Sequence, residues 1–374
     1  MVVDALFGTG LHGEPRPDAV RLIEAMNDAG VPVVAVDVPS GVNASTGEVA
    51  GIAVRADTTV TFHGVKMGLA VAPGRFHAGT VTVADIGLEP GETRAQLAGR
   101  KLLALVPRRS PGDNKYSSGS VVVVGGSAGL TGAPCLTAEA AFRADAGYVA
   151  VACARSALPV FEQRLLEAVK RPCPDDDEGR LTEEAAAIVL ELAEKAGAVA
   201  LGPGLGRSDG TKALVRRLLA ELNGPLVIDA DALHELEPFS RAAPTVLTPH
   251  EGELGRLLGE PSEWVAAHRL EAANRAVERF GCTILLKGSE TIVASPGEGM
   301  LVTSLSVPAL ATAGTCDVLT GILAAFLSKG MDARTAAAAA AIAQGTAASL
   351  VPEQAGLIAS DVVSALPRAL DAPV

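Results

Sequence analysis

Short apolar segments that alternate with helical segments constrain the fold of this chain more than any other feature of its sequence. Residues 31–37, 120–124 and 283–287 are dominated by Val, Ile, Leu and Ala, and helical patterns lie between such runs. Runs without polar alternation are typical of strands that are buried on both faces, as in parallel sheets covered by helices. The sequence therefore predicts an α/β protein.

The length and the distribution of turn residues predict two domains. The chain has 374 residues, and residues 1–90 hold only two α/β units with extra strands, which indicates a partial Rossmann-like α/β domain. Residues 91–113 are rich in Pro, Gly, Arg and Ser, which predicts a linker with a short helix. Residues 114–374 form the second α/β domain. In it, residues 261–280 are predicted as one long helix, and a helix over 360–366 is expected to stop at Pro367.

Charge and composition exclude several classes of protein. The formal charge of −12 argues against nucleic acid as a partner. Despite a mean hydropathy of +0.32, no apolar run reaches the length that spans a membrane. The five cysteines form no C-x-x-C pair, which fits a reducing, cytoplasmic environment better than a disulfide framework or a zinc site.

Polar or glycine-rich segments follow the predicted strands of the second domain. In open α/β sheets ligands bind beyond the carboxyl ends of the strands. Each segment alone is most simply a turn, but five in one domain indicate a binding site. They are Gly125-Gly126-Ser127, Gly202-Pro203-Gly204, Asp229-Ala230-Asp231, Thr248-Pro249-His250-Glu251 and Lys287-Gly288-Ser289.

The segment from Thr312 to Leu319 carries the strongest signal, because small residues there lead into a helix. The free N–H groups of a first helical turn bind anions. Asp317, at that helix start, is either a helix cap or a base beside a phosphate. Lys287 either holds a nucleotide or is the solvated residue of a tight hairpin, and His250 is either a ligand-binding or a structural histidine.

Two sets of motifs resemble known families. Asn114-Lys115-Tyr116-x-x-Gly119, Gly125-Gly126-Ser127, Gly202-Pro203-Gly204-Leu205-Gly206, Thr248-Pro249-His250-x-Gly252-Glu253, Lys287-Gly288-x-x-Thr291 and Ala313-Gly314-Thr315-x-Asp317 resemble the NAD(P)H-hydrate dehydratases. This resemblance implies a ribokinase-like α/β/α fold for the second domain. Asp4 to Gly10 and Asp37 to Asn43 resemble the NAD(P)H-hydrate epimerases, to which bacteria often fuse the dehydratase.

The dehydratase resemblance implies ADP- (or ATP-) dependent dehydration of the S epimer of hydrated NADH or NADPH, with Mg²⁺ at the phosphates. Asp317 would be the catalytic base, and Ala133, Gly204, His250 and Asp317 would contact the hydrate. The adenine nucleotide would be held by Lys287, Gly288, Ser289, Glu290, Thr291 and Cys316. Family precedent and the Ala-rich helices also imply a homo-oligomer.

The epimerase resemblance implies a hydrate site at Gly8, Thr9, Gly10, Leu11, His12, Gly13 and Asp37. It also implies a potassium ion held by Asp4 and Ser40. A family segment with an Asn/Gly-rich loop has no counterpart before Met1, so we expect this chain to have little or no epimerase activity.

Cys316 stands where the dehydratases usually have Gly. We expect its side chain to weaken nucleotide binding, with backbone strain if its φ is positive, and its thiol to have a lowered pKa at the helix start. Two further functions are open: a ribokinase-like small-molecule kinase, and a non-catalytic nucleotide-binding protein.

Overall fold

The structure, a computed structural model, describes residues 1–89, 91, 93–303 and 305–372, and contains two β-sheets. The smaller sheet has the order β1-β2-β3-β4 with all neighbouring strands parallel. Its elements are β1 (Val2–Asp4), α1 (Pro17–Asn27), β2 (Val33–Val36), β3 (Thr58–Phe62), α2 (Met67–Ala70), a 3₁₀ turn (Gly74–His77) and β4 (Thr80–Ala84).

The larger sheet has the order β5-β14-β13-β12-β11-β10-β9-β6-β7-β8. Only β13 runs antiparallel to its neighbours. The strands are β5 (Ala95–Ala98), β6 (Ser120–Val124), β7 (Tyr148–Ala154), β8 (Val169–Cys173), β9 (Ala198–Leu201), β10 (Leu226–Ile228), β11 (Thr245–Leu247), β12 (Thr283–Leu286), β13 (Ile292–Ala294) and β14 (Met300–Thr303).

In the part of the chain that the structure describes, ten α-helices follow the first strand of this sheet. They are α3 (Gly132–Arg143), α4 (Leu158–Arg164), α5 (Ala185–Ala193), α6 (Asp209–Glu221), α7 (Glu251–Leu258), α8 (Ser262–Ala267), α9 (Arg269–Phe280), α10 (Thr315–Ser328), α11 (Ala333–Ser349) and α12 (Ala359–Asp371). Every residue of β6, β9 and β12 is buried, as expected for strands covered on both faces. The predicted α/β fold is confirmed. Within the described ranges, no helix is long and apolar enough to cross a membrane.

Three local predictions were wrong. The segment 91–113 is not a free linker, because β5 pairs with β14 and extends the larger sheet. The helix expected over 261–280 breaks at His268, whose φ of −125° and ψ of 48° are not helical, so α8 and α9 are separate. Helix α12 continues through Pro367 to Asp371; its buried apolar face outweighs the cost of about 3 kcal/mol that an internal proline imposes.

The strand order places a crevice between β6 and β9. The chain proceeds from β6 outward through β7 and β8, then returns to the other side of β6 to continue through β9, β10 and β11. The connections that leave β6 and β9 therefore diverge, and ligands bind at such a switch point beyond the strand ends. The predicted dehydratase residues Gly204, His250 and Lys287 follow β9, β11 and β12 at this end of the sheet.

Candidate functional site

The loops after β6 and β9 are joined at the switch point. The backbone N–H groups of Gly126 and Ser127 both donate to the Gly204 carbonyl, at 2.9 and 2.8 Å. Gly204 has a φ of +58°, and a Cβ there would lie 2.2 Å from the Leu130 carbonyl oxygen. No other residue fits this position, so Gly204 keeps the floor of the crevice closed.

Helices α3 and α10 begin side by side above this floor. The Thr137 hydroxyl lies 3.0 Å from the Ala133 carbonyl oxygen and 3.1 Å from that of Asp317. Thr137 therefore ties the first turn of α3 to the first turn of α10. Two of the predicted hydrate-contacting residues, Ala133 and Asp317, are thus brought to one place.

Asp317 combines partial burial with a surplus of nearby negative charge. Desolvation by burial raises the pKa of its carboxyl to about 7, and the carboxylates of Asp229 and Asp231 add to the rise. Lys287 acts in the opposite direction. A carboxyl with a pKa near neutrality can accept a proton at physiological pH, which suits a general base.

Lys287 is buried beside two carboxylates. Its ammonium nitrogen donates to Asp229 Oδ1 at 2.8 Å and lies 3.8 Å from Glu253 Oε2. Burial alone would lower the pKa of Lys287, but the two carboxylates raise it above its usual value. The lysine is therefore a fixed positive charge inside the crevice and not a solvated hairpin residue.

Asp229 and Glu253 were not among the predicted site residues. Asp229 is fully buried, and its second oxygen accepts a hydrogen bond from the Thr320 hydroxyl at 2.7 Å. Both acids lie in polar segments that follow strands, and that position is the signal that could have identified them. Carboxylate oxygens are the protein ligands that Mg²⁺ prefers, so Asp229 and Glu253 would be the residues that hold a magnesium ion here.

His250 caps helix α7. The ring Nδ1 of His250 accepts a hydrogen bond from the Gly252 N–H at 3.0 Å, and the backbone N–H of His250 donates to Glu253 Oε2 at 2.9 Å. The imidazole is about half exposed. The structure thus gives His250 a structural role, the placement of Glu253 near Lys287; its contact with the hydrate stays a prediction.

The hairpin turn of residues 287–291 packs against the guanidinium of Arg269 and is hydrogen-bonded to it. This side chain is buried and donates to the carbonyls of Lys287, at 3.3 Å, and Glu290, at 2.9 Å. A Cβ on Gly288 would lie 2.3 Å from an Arg269 nitrogen, so the close approach requires glycine. Sequence reasoning missed Arg269, because a single arginine in an amphipathic helix gives no sign that it is buried.

A cavity of about 530 Å³ opens against this turn and the start of α10. Five of the six predicted nucleotide-contacting residues line it, namely Lys287, Gly288, Ser289, Thr291 and Cys316. Glu290 does not: its carboxylate is fully buried and pairs with Arg269 Nε at 2.7 Å. Glu290 therefore stabilises the turn through its ion pair with Arg269. This geometry does not support a nucleotide contact through its side chain.

Cys316 occupies a helical position in the first turn of α10. Its φ is not among the positive angles of the chain, so the left-handed strain considered above does not arise. The expected low thiol pKa was wrong: desolvation by the surrounding crevice raises the pKa of Cys316, and the Lys287 ammonium offsets this only in part. The thiol therefore narrows the cavity without being an activated nucleophile.

The side chains of Asp4 and Ser40 are in contact in the smaller module, the part of the chain that contains β1 to β4. The buried Asp4 carboxylate accepts hydrogen bonds from the Ser40 N–H at 2.7 Å and the Ser40 hydroxyl at 2.6 Å. The Ser40 hydroxyl oxygen in turn accepts from the Phe7 N–H at 2.9 Å. A buried carboxylate beside a hydroxyl oxygen fits an alkali cation, and the potassium site stays a prediction.

Asp37 is anchored by its own neighbours. It has a φ of 69°, and its carboxylate accepts from the Lys66 ammonium at 2.6 Å and the Phe62 N–H at 3.1 Å. Burial raises the pKa of Asp37, but these hydrogen bonds prevail and lower it. The predicted loop from Gly8 to Gly13 is largely exposed, with only Leu11 half-buried.

Comparison with known proteins gives the same two-part organisation. Residues 121–368 match the family model described as NAD(P)H-hydrate dehydratase, and residues 1–68 match that of the YjeF-related protein N-terminus. The chain is 39% identical to a bifunctional NAD(P)H-hydrate repair enzyme of Salinibacter ruber, over 98% of this chain and 71% of that protein. It is 35% identical to the corresponding enzyme of Escherichia coli, over 100% of this chain and 72% of that protein.

Solved structures agree on the larger module. The ADP/ATP-dependent NAD(P)H-hydrate dehydratase from Bacillus subtilis, co-crystallised with ATP and Mg²⁺, is 26% identical with a TM-score of 0.64, and the match covers 73% of this chain and 96% of that one. A ribokinase-like protein from Enterococcus faecalis has a TM-score of 0.64 at 23% identity, covering 76% of this chain and 98% of that one. The ribokinase-like fold is confirmed, and the chain belongs to the family of bifunctional NAD(P)H-hydrate repair enzymes.

Proposed function

We propose that the larger module dehydrates the S epimer of hydrated NADH and NADPH at the expense of ADP or ATP. The observation that carries this proposal is the Asp317 carboxyl, whose pKa is raised to about 7 and which directly follows Thr315 and Cys316, two residues that line the Lys287 cavity. The family relationship supports the substrate class, and the nucleotide and Mg²⁺ bound to the Bacillus subtilis dehydratase support the co-substrate.

The proposed chemistry converts a poor leaving group into a good one. The hydroxyl oxygen of the hydrate attacks the terminal phosphorus of the nucleotide while Asp317 accepts the hydroxyl proton, and the bond from that phosphorus to the bridging oxygen breaks, so that AMP leaves from ADP or ADP leaves from ATP. The phosphorylated ring then loses phosphate with the electron pair of the broken C–O bond. Loss of a proton from the adjacent carbon to water restores the double bond of the reduced nicotinamide.

The residues of this chain supply position and charge for that step. The free N–H groups at the start of α10 and the Lys287 ammonium face the phosphoryl group that is transferred. Asp229 and Glu253 would hold Mg²⁺, which supplies charge neutralisation at the phosphates when it is bound. Ala133 and Gly204 would contact the hydrate across the crevice.

The test follows the return of the reduced-nicotinamide absorbance with purified protein, separated S and R hydrates, Mg²⁺, and either ADP or ATP. Nucleotide-dependent recovery of S is expected, and recovery of R faster than its spontaneous epimerisation would show that the N-terminal part of the chain is an active epimerase. Asp317→Asn serves as the inactive control. Accumulation of a stable phosphorylated product would instead indicate a small-molecule kinase, and nucleotide binding without turnover would indicate a non-catalytic protein.

Two properties accompany this proposal. A cytoplasmic location fits a chain whose five cysteines are all free, because structural disulfides mark oxidising compartments. A homo-oligomer is proposed from the family relationship, and sedimentation of the purified protein tests it.

A further inference from the structure

The smaller module also contacts the turn of residues 287–291. The Ala72 N–H donates to Glu290 Oε1 at 3.2 Å, and Arg75 lies 3.6 Å from Glu290 Oε2. The same Arg75 guanidinium donates to the Ser289 carbonyl at 3.4 Å. Glu290 therefore contacts both modules: Ala72 and Arg75 of the smaller one and Arg269 of the larger one.

This contact reaches the cavity through Ser289. The Ser289 hydroxyl donates to Glu290 Oε2 at 2.5 Å, and that oxygen is the one nearest Arg75. A fully buried carboxylate needs its charged and hydrogen-bonded partners to stay in place. Arg75 thus fixes the orientation of a cavity-lining residue without touching the cavity itself.

The next residue, Phe76, lines the cavity directly. Its ring is 67% exposed, although large apolar side chains of this kind are usually buried. The apolar part of the lining is completed by Leu305, Val307, Pro308 and Leu310 of the larger module. A flat apolar ligand surface placed here would cover the exposed ring.

The turn that carries Arg75 and Phe76 is rigid. The Gly74 N–H donates to the Gly47 carbonyl at 2.7 Å and the Arg75 N–H to the Val71 carbonyl at 3.0 Å. A Cβ on Gly74 would lie 2.4 Å from the Gly68 carbonyl oxygen. Close packing therefore fixes this turn before any ligand arrives, which lowers the entropic cost of binding.

We propose that the smaller module completes the nucleotide site of the larger one, with Phe76 stacking on the purine base and Arg75 positioning Ser289 through Glu290. The inference rests on the proposed function only in taking the cavity as the nucleotide site. The base is the flat, apolar-faced part of an adenine nucleotide, and every base offers such a face to an aromatic ring. The phosphates are left to Lys287 and the start of α10.

Calorimetric titration of the full chain tests this proposal, with ADP and with pyrophosphate, both in excess Mg²⁺. Phe76→Ala is expected to weaken ADP binding by roughly tenfold, since base–aromatic stacking has effects of that order, and to leave pyrophosphate binding unchanged. Leu22→Ala is the matched control, because Leu22 is also exposed on the smaller module, at 49%, on α1. Equal ADP affinity in the Phe76→Ala, Leu22→Ala and parent proteins overturns the role of Phe76.

Arg75 is tested by the same titration and by steady-state kinetics. Arg75→Gln is expected to raise KM for ADP with a smaller change in kcat, and Arg75→Lys to restore part of the affinity. Arg55→Gln, at an exposed position of the same module, should change neither. An unchanged KM in folded Arg75→Gln overturns its positioning role, whereas nucleotide binding without hydrate turnover in the parent protein refutes only the proposed function.

Discussion

Replacing Asp317 with Asn separates the activity of the site from its stability. Asn mimics the protonated carboxyl, so the variant loses the base but also loses the cost of a desolvated negative charge. We therefore expect Asp317→Asn to abolish dehydration and at the same time to stabilise the folded protein at neutral and alkaline pH. A residue with a purely structural role as a helix cap would show a loss of stability instead.

The magnitude follows from the pKa. The rise from the ordinary value of 3.8 to about 7 corresponds to ~4 kcal/mol at about 1.36 kcal/mol per pH unit, and solvent screening of a partly exposed group reduces this to about 2–4 kcal/mol. The pKa of Asp317 is higher in the folded state than in the unfolded state. Its contribution to the free energy of unfolding is therefore fully present below the unfolded-state pKa. It is lost as pH rises to about 7 and is constant above that value.

Thermal unfolding of the metal-free and nucleotide-free protein at pH values between about 5.5 and 8.5 measures this effect. The Tm advantage of Asp317→Asn over the parent should grow by about 2–6 °C across that range, since about 1–2 kcal/mol of the difference develops there. Asp209→Asn is the matched control, because Asp209 is fully exposed in the first turn of α6. The argument that burial raises the pKa of Asp317 is refuted if Asp317→Asn has no higher Tm than the parent. It is also refuted if the Tm difference changes with pH no more than it does for Asp209→Asn.

Four further perturbations probe the same site. Lys287→Met should lower stability by about 3–5 kcal/mol, because it leaves the fully buried Asp229 without its cation; a thermal melt measures this. Gly288→Ala should abolish ADP binding, since its Cβ would displace Arg269, and calorimetry detects the loss. Cys316→Gly should bind ADP more tightly, because the cavity widens where the thiol lines it; equal or weaker affinity would contradict this. Removal of Mg²⁺ with EDTA should sharply weaken ADP binding in the same titration.

Matched variants exist for two of these changes. Lys212→Met breaks an exposed pair with Glu235, and solvent screening of such a pair is expected to leave the stability almost unchanged. Gly210→Ala places a Cβ no closer than 3.6 Å to its neighbours, an ordinary contact. If these variants lose as much stability or nucleotide affinity as Lys287→Met and Gly288→Ala, the effects are not specific to the site.

The α/β fold could be predicted because local pattern and global topology agree. Strands such as β6 and β12 are apolar after their first residue and are followed by a glycine or a polar residue, so the apolar run and the residue after it both identify them. The break between α8 and α9 was not predictable, because the helical period continues across His268. That residue instead contacts Glu48 of the smaller module at 3.0 Å, a tertiary interaction that no local pattern records.

Part of the candidate site could also be predicted from the sequence, and part of it could not. Glycines and Lys287 were visible from sequence because they follow strands, and the structure brings Lys287, Gly288, Ser289, Thr291 and Cys316 to one cavity. The strand order of the larger sheet, which joins the Gly126 and Gly204 loops, could not be predicted from the segments themselves. Nor could the buried pair of Arg269 and Glu290, because burial of charge depends on partners that are distant in sequence.

The charge balance of the site links its base to its metal. The Lys287 ammonium lowers the pKa of Asp317, while Asp229 and Asp231 both act against ionisation of that carboxyl. The start of a helix contributes about half a positive charge more, which is too little to receive the phosphates of a nucleotide beside these acids. Asp229 and Glu253 would be the residues that hold a divalent cation, and its charge would offset this imbalance. Burial and the nearby acids together raise the pKa of Asp317, and a bound Mg²⁺ would lower that pKa and favour the ionised form of the base when the nucleotide is present.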